Sequence, residues 1–142
     1  MFEKETRRKV TDDLAEYIEK TMINITKDRG TAGMLVLFFH FLIIFIVFYL
    51  LIWSSTAKMV RIGIVLWISI IIQYWYFHGC WGVKCERKIW KTKEWYGPWT
   101  AFYQYINELG FQMNKNTRDI FTFLFTIITS IIAIVRYKRL RK

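Results

Sequence analysis

The chain has 142 residues, 54% of them hydrophobic and 19% aromatic, and a formal net charge of +10. This is about one domain's length, but the apolar residues are collected into blocks and not spread at the spacing of a soluble core, which argues against a soluble globular enzyme. The charge is shared among a short loop, a long loop and a tail, so it implies neither one large basic face nor a specific nucleic-acid partner.

The blocks predict an all-α, multi-span membrane protein with about three transmembrane helices, an amphipathic N-terminal helix and a helical, aromatic-rich extramembrane loop. Residues 1–30 carry seven Lys and Arg against seven Asp and Glu, and show no secretory-signal pattern. Within them Val10, Leu14, Tyr17, Ile18, Met22 and Ile25 recur at three- and four-residue steps, with Thr11, Asp12 and Asp13 near the start. That is the stripe of an amphipathic helix. Because its polar face is charge-balanced, the expected cover is another protein or the chain's own loop more than a membrane surface.

Residues 31–53 contain one ionisable group, His40, and at ~1.5 Å per residue they cover a hydrocarbon core of ~30 Å. A short basic loop, 54–61, follows. The runs 62–77 and 120–135 each hold 16 residues without a charge, about 24 Å of helix, so spanning asks Arg61, Arg136 and Lys138 to reach back to the interface. Three spans put residues 1–30 and 78–119 on one side, and 54–61 and the tail 136–142 on the other. The cations nearest the membrane are almost evenly divided between the two sides and select neither orientation.

Polar residues inside spans are functional candidates, and here they are His40, Ser69 and Gln73. Ser69 and Gln73 share one helix face. Thr122, Thr126, Thr129, Ser130 and Ala133 form a stripe of small residues on the third span, which predicts a hydrogen-bonded seam between the second and third. No span contains an acid, which speaks against a channel or transporter.

The loop 78–119 holds both cysteines. Gly97-Pro98 followed by Trp99, Phe102, Tyr103, Ile106 and Leu109, then Gly110, predicts a helix with proline at its first position and a glycine stop. A second short helix is expected over 83–95. Together they predict an interfacial belt built from Trp81, Trp90, Trp95, Tyr96, Trp99, Tyr103 and Tyr105, since these rings pair an apolar body with a polar edge.

Three chemical alternatives stand beside the belt. His78, Cys80, Cys85 and Glu86 are a possible zinc-type ligand set, although they lack paired C-x2-C spacing. Cys80 and Cys85 are close enough in sequence for a disulfide in an oxidising compartment. A nucleophilic Cys80 with His78 lacks an oriented third group. The expectation is therefore no metal, no cofactor and no catalytic residue. The tail, with Arg136, Lys138, Arg139, Arg141 and Lys142, reads as a stop-transfer anchor or as a surface for anionic lipid or an acidic protein.

The stretch "YFHGCWGVKCE" resembles a group of small membrane proteins encoded by large double-stranded DNA viruses. In these a span ends in an aromatic-rich H-x-C followed by Leu-Thr and by a Glu six residues after the cysteine. His78, Cys80 and Glu86 fall at that spacing, while Gly82 and Val83 stand where Leu and Thr are expected; the match covers about a dozen residues. The resemblance implies a virion or internal-membrane component, such as a minor capsid protein tying a shell to the bilayer beneath it.

The function expected from the sequence is a non-enzymatic structural protein that anchors a larger assembly to a bilayer. Its partners are lipid and other proteins of that assembly, capsid proteins if the resemblance holds, with no small-molecule substrate. The alternatives are a membrane-bound metal or thiol-redox protein using His78, Cys80 and Cys85, and an accessory subunit of an organellar membrane complex.

Overall fold

The computed structural model describes residues 4–77, 79–93, 95–111 and 114–141. These residues are helical, with no strand among them. In chain order the helices are α1 (Lys4–Thr26), α2 (Arg29–Phe48) running into a π-helical turn (Tyr49–Trp53), α3 (Ala57–Tyr76) and α4 (Trp81–Trp90). A 3-10 turn (Gly97–Trp99) then leads into α5 (Thr100–Glu108), and α6 (Lys115–Arg141) closes the chain.

Three helices are long and apolar enough to cross a membrane: Arg29–Trp53, Ala57–Tyr76 and Asn116–Arg141. The short charge-free runs understate the last two, because neither helix stops at its first charge. α3 begins at Ala57 and carries Lys58 and Arg61 in its first turns, and its 20 residues reach ~30 Å. α6 continues through the basic tail as far as Arg141. Only 11%, 17% and 11% of the most apolar stretches is buried within the chain. Side chains such as Phe45, Ile72 and Ile128 face outward instead. A chain with so much aliphatic and aromatic surface on continuous helices uses lipid as its solvent, and the helix is the form that satisfies the backbone there.

The chain divides into two compact units, and α2 and α3 contribute to both. The first unit comprises Met1–Leu42 and Ser69–Pro98. Here α1 packs along α4, within the chain's own loop, but not through the apolar stripe for which a partner is expected. The side that meets α4 is rotated from the apolar stripe: Thr11 and Ala15 are buried, whereas Val10, Leu14, Tyr17 and Ile25 remain exposed. Between α1 and α2 the chain reverses in two residues. Lys27 adopts a left-handed φ of 60° with its N–H on the Ile23 carbonyl, and Asp28 accepts the Thr31 N–H at 2.6 Å to cap α2. Arg29 then donates to Glu19 at 2.8 Å and to the Ile89 carbonyl at 3.0 Å, joining α1, α2 and α4 at one point.

The second unit comprises Ile43–Ile68 and Trp99–Lys142. Its interior is aromatic: Phe48 meets Trp67 and Phe125, and Trp99 meets Phe102, Phe121 and Phe125 at ring separations of 5.1 to 6.2 Å. Gly63 lets the Leu50 and Leu51 turn approach, since a Cβ there would lie 2.9 Å from Leu50 Cβ. Between the second and third spans the structure places a contact at Trp67, a residue outside the Ser69 and Gln73 pair expected to form the seam. Its hydrogen bond runs from Trp67 Nε1 to Ser130 Oγ (3.1 Å), with Thr129 and Ala133 buried beside it. Thr122 and Thr126 turn their hydroxyls back to the carbonyls of Arg118 and Thr122 on their own helix.

Each unit joins segments that two spans separate in sequence. In the first, α1 meets α4; in the second, Arg136 donates to the Ser54 carbonyl (2.8 Å) and Arg61 to the Tyr137 hydroxyl (2.8 Å). A three-span path brings back to one side just such pairs.

Candidate functional site

A buried polar constellation lies in the first unit and gathers residues from α2, the start of α4 and the segment after it. Glu86, in the middle of α4, is fully buried. Its Oε1 lies 2.6 Å from His40 Nδ1, and its Oε2 accepts the Trp95 indole N–H. On the other side of the same imidazole, His40 Nε2 lies 3.3 Å from Cys80 Sγ. The order is thiol, imidazole, carboxylate, indole, each touching the next.

The local sequence explains why these groups can meet. Cys80 is the N-cap of α4, with φ −68° and ψ 120°, so Glu86 follows nearly two turns later on the helix it opens. Gly82 removes the side chain that would block the ring, because a Cβ there would stand 2.9 Å from His40 Nδ1. That is the position where the viral resemblance expects leucine. Gly97, at φ +62°, passes Val83 at 2.7 Å, Glu86 Oε2 at 3.3 Å and His40 Cε1 at 3.4 Å by the same measure, so glycine is required there by backbone and space together. Gly33 gives the Trp90 indole its place on α2. Trp90 packs edge-to-face on Trp95 with ring centroids 4.5 Å apart, and Arg87 bonds the Trp95 carbonyl, holding the indole on the carboxylate.

The two cysteines are electrostatic opposites. Burial is the largest influence on Cys80 and resists ionisation, but contact with His40 and the Val83 and Gly82 amides outweighs it, leaving the thiol below its ordinary range. Cys85 is pushed up to about 12, first by burial and then by the Glu86 charge. Both are free thiols; the disulfide, one of the alternatives for this pair, is not formed. Five residues of helix rise about 7.5 Å, beyond the ~7 Å that a disulfide bridges between Cα atoms.

The other sequence-derived candidates distribute as follows. His78 and Lys142 lie outside the described residues. Glu86 has both oxygens occupied, and among the described residues no group of three His, Cys, Asp or Glu is arranged to hold a metal. Of the belt residues, Trp90 and Trp95 build the carboxylate's surroundings, Trp81 is half-buried, and Trp99 and Tyr103 belong to the aromatic interior of the second unit. Ser69 is exposed and Gln73 half-buried. In the tail Arg136 is half-buried on Ser54, while Lys138, Arg139 and Arg141 are exposed.

The sequence groups Cys80 and Glu86 with His78 and Cys85 as one candidate ligand set and leaves His40 apart, among the polar residues of the spans. The available signal was His40 itself, the one ionisable residue in a long apolar run, which has to find a polar partner somewhere. Compared with protein-family models, curated proteins and solved structures, the chain matches none.

Proposed function

We propose that this chain is a structural membrane protein whose helical stem holds an attachment surface for a larger assembly. The observation that carries the reading is the outward stripe of α1, where Val10, Leu14, Tyr17 and Ile25 are 49%, 40%, 68% and 68% exposed on a helix whose remaining faces are heavily charged, with acids and cations in balance. An apolar stripe of this kind outside the membrane is the mark of a protein contact. It needs a rigid base, and the Glu86–His40 pair supplies one by tying the α1–α4 layer to a membrane-spanning helix. On this reading the exposed cations Lys138, Arg139 and Arg141 hold anionic headgroups or an acidic neighbour. The viral resemblance around Cys80 and Glu86 makes capsid proteins the first partners to seek and a virion's internal membrane the first location.

Amine cross-linking in native membranes tests the proposal, since Lys91 and Lys93 are exposed beside the α1–α4 layer. The expected result is capture of a defined set of assembly proteins, lost in Leu14→Arg and Tyr17→Glu variants that still resist carbonate extraction. Recovery of the chain without cross-linked neighbours, or its release by carbonate, overturns the reading.

A further inference from the structure

The clamp between α4 and the first span uses only one nitrogen of His40. A structural ion pair has no need of a thiol on the other nitrogen, nor of a capping position for that thiol on the helix that carries the acid. From this arrangement we infer that Cys80 is an acyl-accepting nucleophile, with His40 as its base and Glu86 as the residue that orients the base, acting on long-chain acyl thioesters or esters at the membrane surface.

The geometry assigns each part. Cys80 Sγ is 3.3 Å from His40 Nε2, the contact through which a thiol gives up its proton. Glu86 on Nδ1, itself held by Trp95, sets the ring's orientation and stabilises the charge the ring acquires. The first-turn amides of α4 have no intrahelical partners, and those of Gly82 and Val83 favour negative charge beside the sulfur. Cys80 is half-buried, whereas Cys85 is fully buried.

The substrate class follows from where the sulfur stands. Cys80 comes four residues after Tyr76, the end of α3, and so lies within ~14 Å of the point where that helix stops. Phe38, Phe39 and Phe41 flank His40 on α2 and are 59%, 53% and 48% exposed, an apolar wall level with the thiol. A wall of this kind suits the hydrocarbon chain of a long acyl donor whose carbonyl reaches the sulfur.

In the first step the Cys80 proton passes to His40 Nε2 and the sulfur attacks the acyl carbonyl carbon. A new C–S bond forms, and the bond to the leaving thiolate or alkoxide breaks. The leaving group takes the proton from His40. Transfer of the acyl group to water returns the free thiol and a carboxylic acid, and no oxidant or reductant is involved.

The test uses the full chain in nanodiscs. In one arm palmitoyl-CoA is added; in the other the discs contain phosphatidylcholine with an isotope-labelled acyl chain. Cleavage after Lys84 separates Cys80 from Cys85, so the acylated cysteine is read directly by mass spectrometry. The expected result is a hydroxylamine-labile acyl group on Cys80 in at least one arm, which also identifies the donor, formed at least ~100-fold more slowly in His40→Asn. For Glu86→Gln the expectation is a slower reaction with its pH profile shifted, which a purely structural loss does not produce. Acylation of His40→Asn at the unmodified rate, acylation on Cys85, or no adduct in either arm overturns the inference. Should His40→Asn fail to fold, iodoacetamide labelling of the unmodified protein at pH 6.5 decides. Cys80 is expected to react about 10-fold faster than glutathione, and an equal or slower rate overturns the inference.

Discussion

His40 Nδ1 lies 2.6 Å from Glu86 Oε1 across 46 positions of sequence. A single ionisable residue in an otherwise apolar helix thereby acquires a partner, and a fully buried carboxylate acquires a donor. Each group would be costly without the other.

Removing the carboxylate should therefore be severe. Glu86→Ala leaves His40 and the Trp95 N–H without their acceptor and is expected to cost about 3–5 kcal/mol, the usual consequence of breaking a buried pair from one side. Glu86→Gln keeps an acceptor for one neighbour and should cost less. Thermal unfolding in detergent, followed by tryptophan fluorescence, ranks the two.

The glycine at position 33 makes a steric prediction. A side chain there would overlap the Trp90 indole. Gly33→Val is expected to destabilise by about 1–3 kcal/mol through overpacking. Trp90→Ala in the same chain should recover part of the loss, because it empties the space the valine needs, and a double-mutant cycle on melting temperature measures the recovery.

How far the sequence could be read differs sharply between the spans and the site. Spans are legible because lipid imposes a local rule, and Leu42, Ile44 and Phe45 report it to their immediate neighbours. The charge-free runs fall short of α3 and α6 because Arg61 and Arg136 mark where charge begins and not where the helix stops; long cationic side chains let the helix run on. The site resisted because its members obey no shared period. Cys80 and Glu86 are six apart on one element and His40 is on another, and the glycines at 82 and 97 that admit the ring look like ordinary loop residues until it is placed against them. The rotation of α1 was hidden for a similar reason. Thr11 and Ala15 are buried because they are small enough to let α4 approach, a property that hydrophobicity does not register.

The cysteines should separate by reactivity. With its thiol pushed up to about 12 and its side chain buried, Cys85 should stay unmodified by maleimide at pH 8 for as long as the chain is folded. It should become reactive at the denaturant concentration that unfolds α4, and mass spectrometry of the peptide beginning at residue 85 reads the transition.

Asp28 makes a prediction about acid. The Thr31 backbone N–H, helped by the Thr31 side chain, holds the Asp28 carboxyl below the usual aspartate range in the folded state. A depressed folded pKa contributes stability that is present above the ordinary value of about 3.9 and is lost as pH falls through the folded one. The melting temperature of the unmodified protein should thus fall more steeply below pH 4 than that of Asp28→Ala, which lacks the cap at every pH.

Lys88 reaches back to the Asp12 carbonyl across 76 positions, and that distance imposes an order on synthesis. The N-terminal helix leaves the ribosome long before the segment it will lie against, and it waits while two apolar stretches are threaded into lipid. Delivery of the second stretch is the event that releases it from waiting. A chain that stalls before then displays its fault at the opposite end from the cause, as a bare helix open to proteases and quality-control factors.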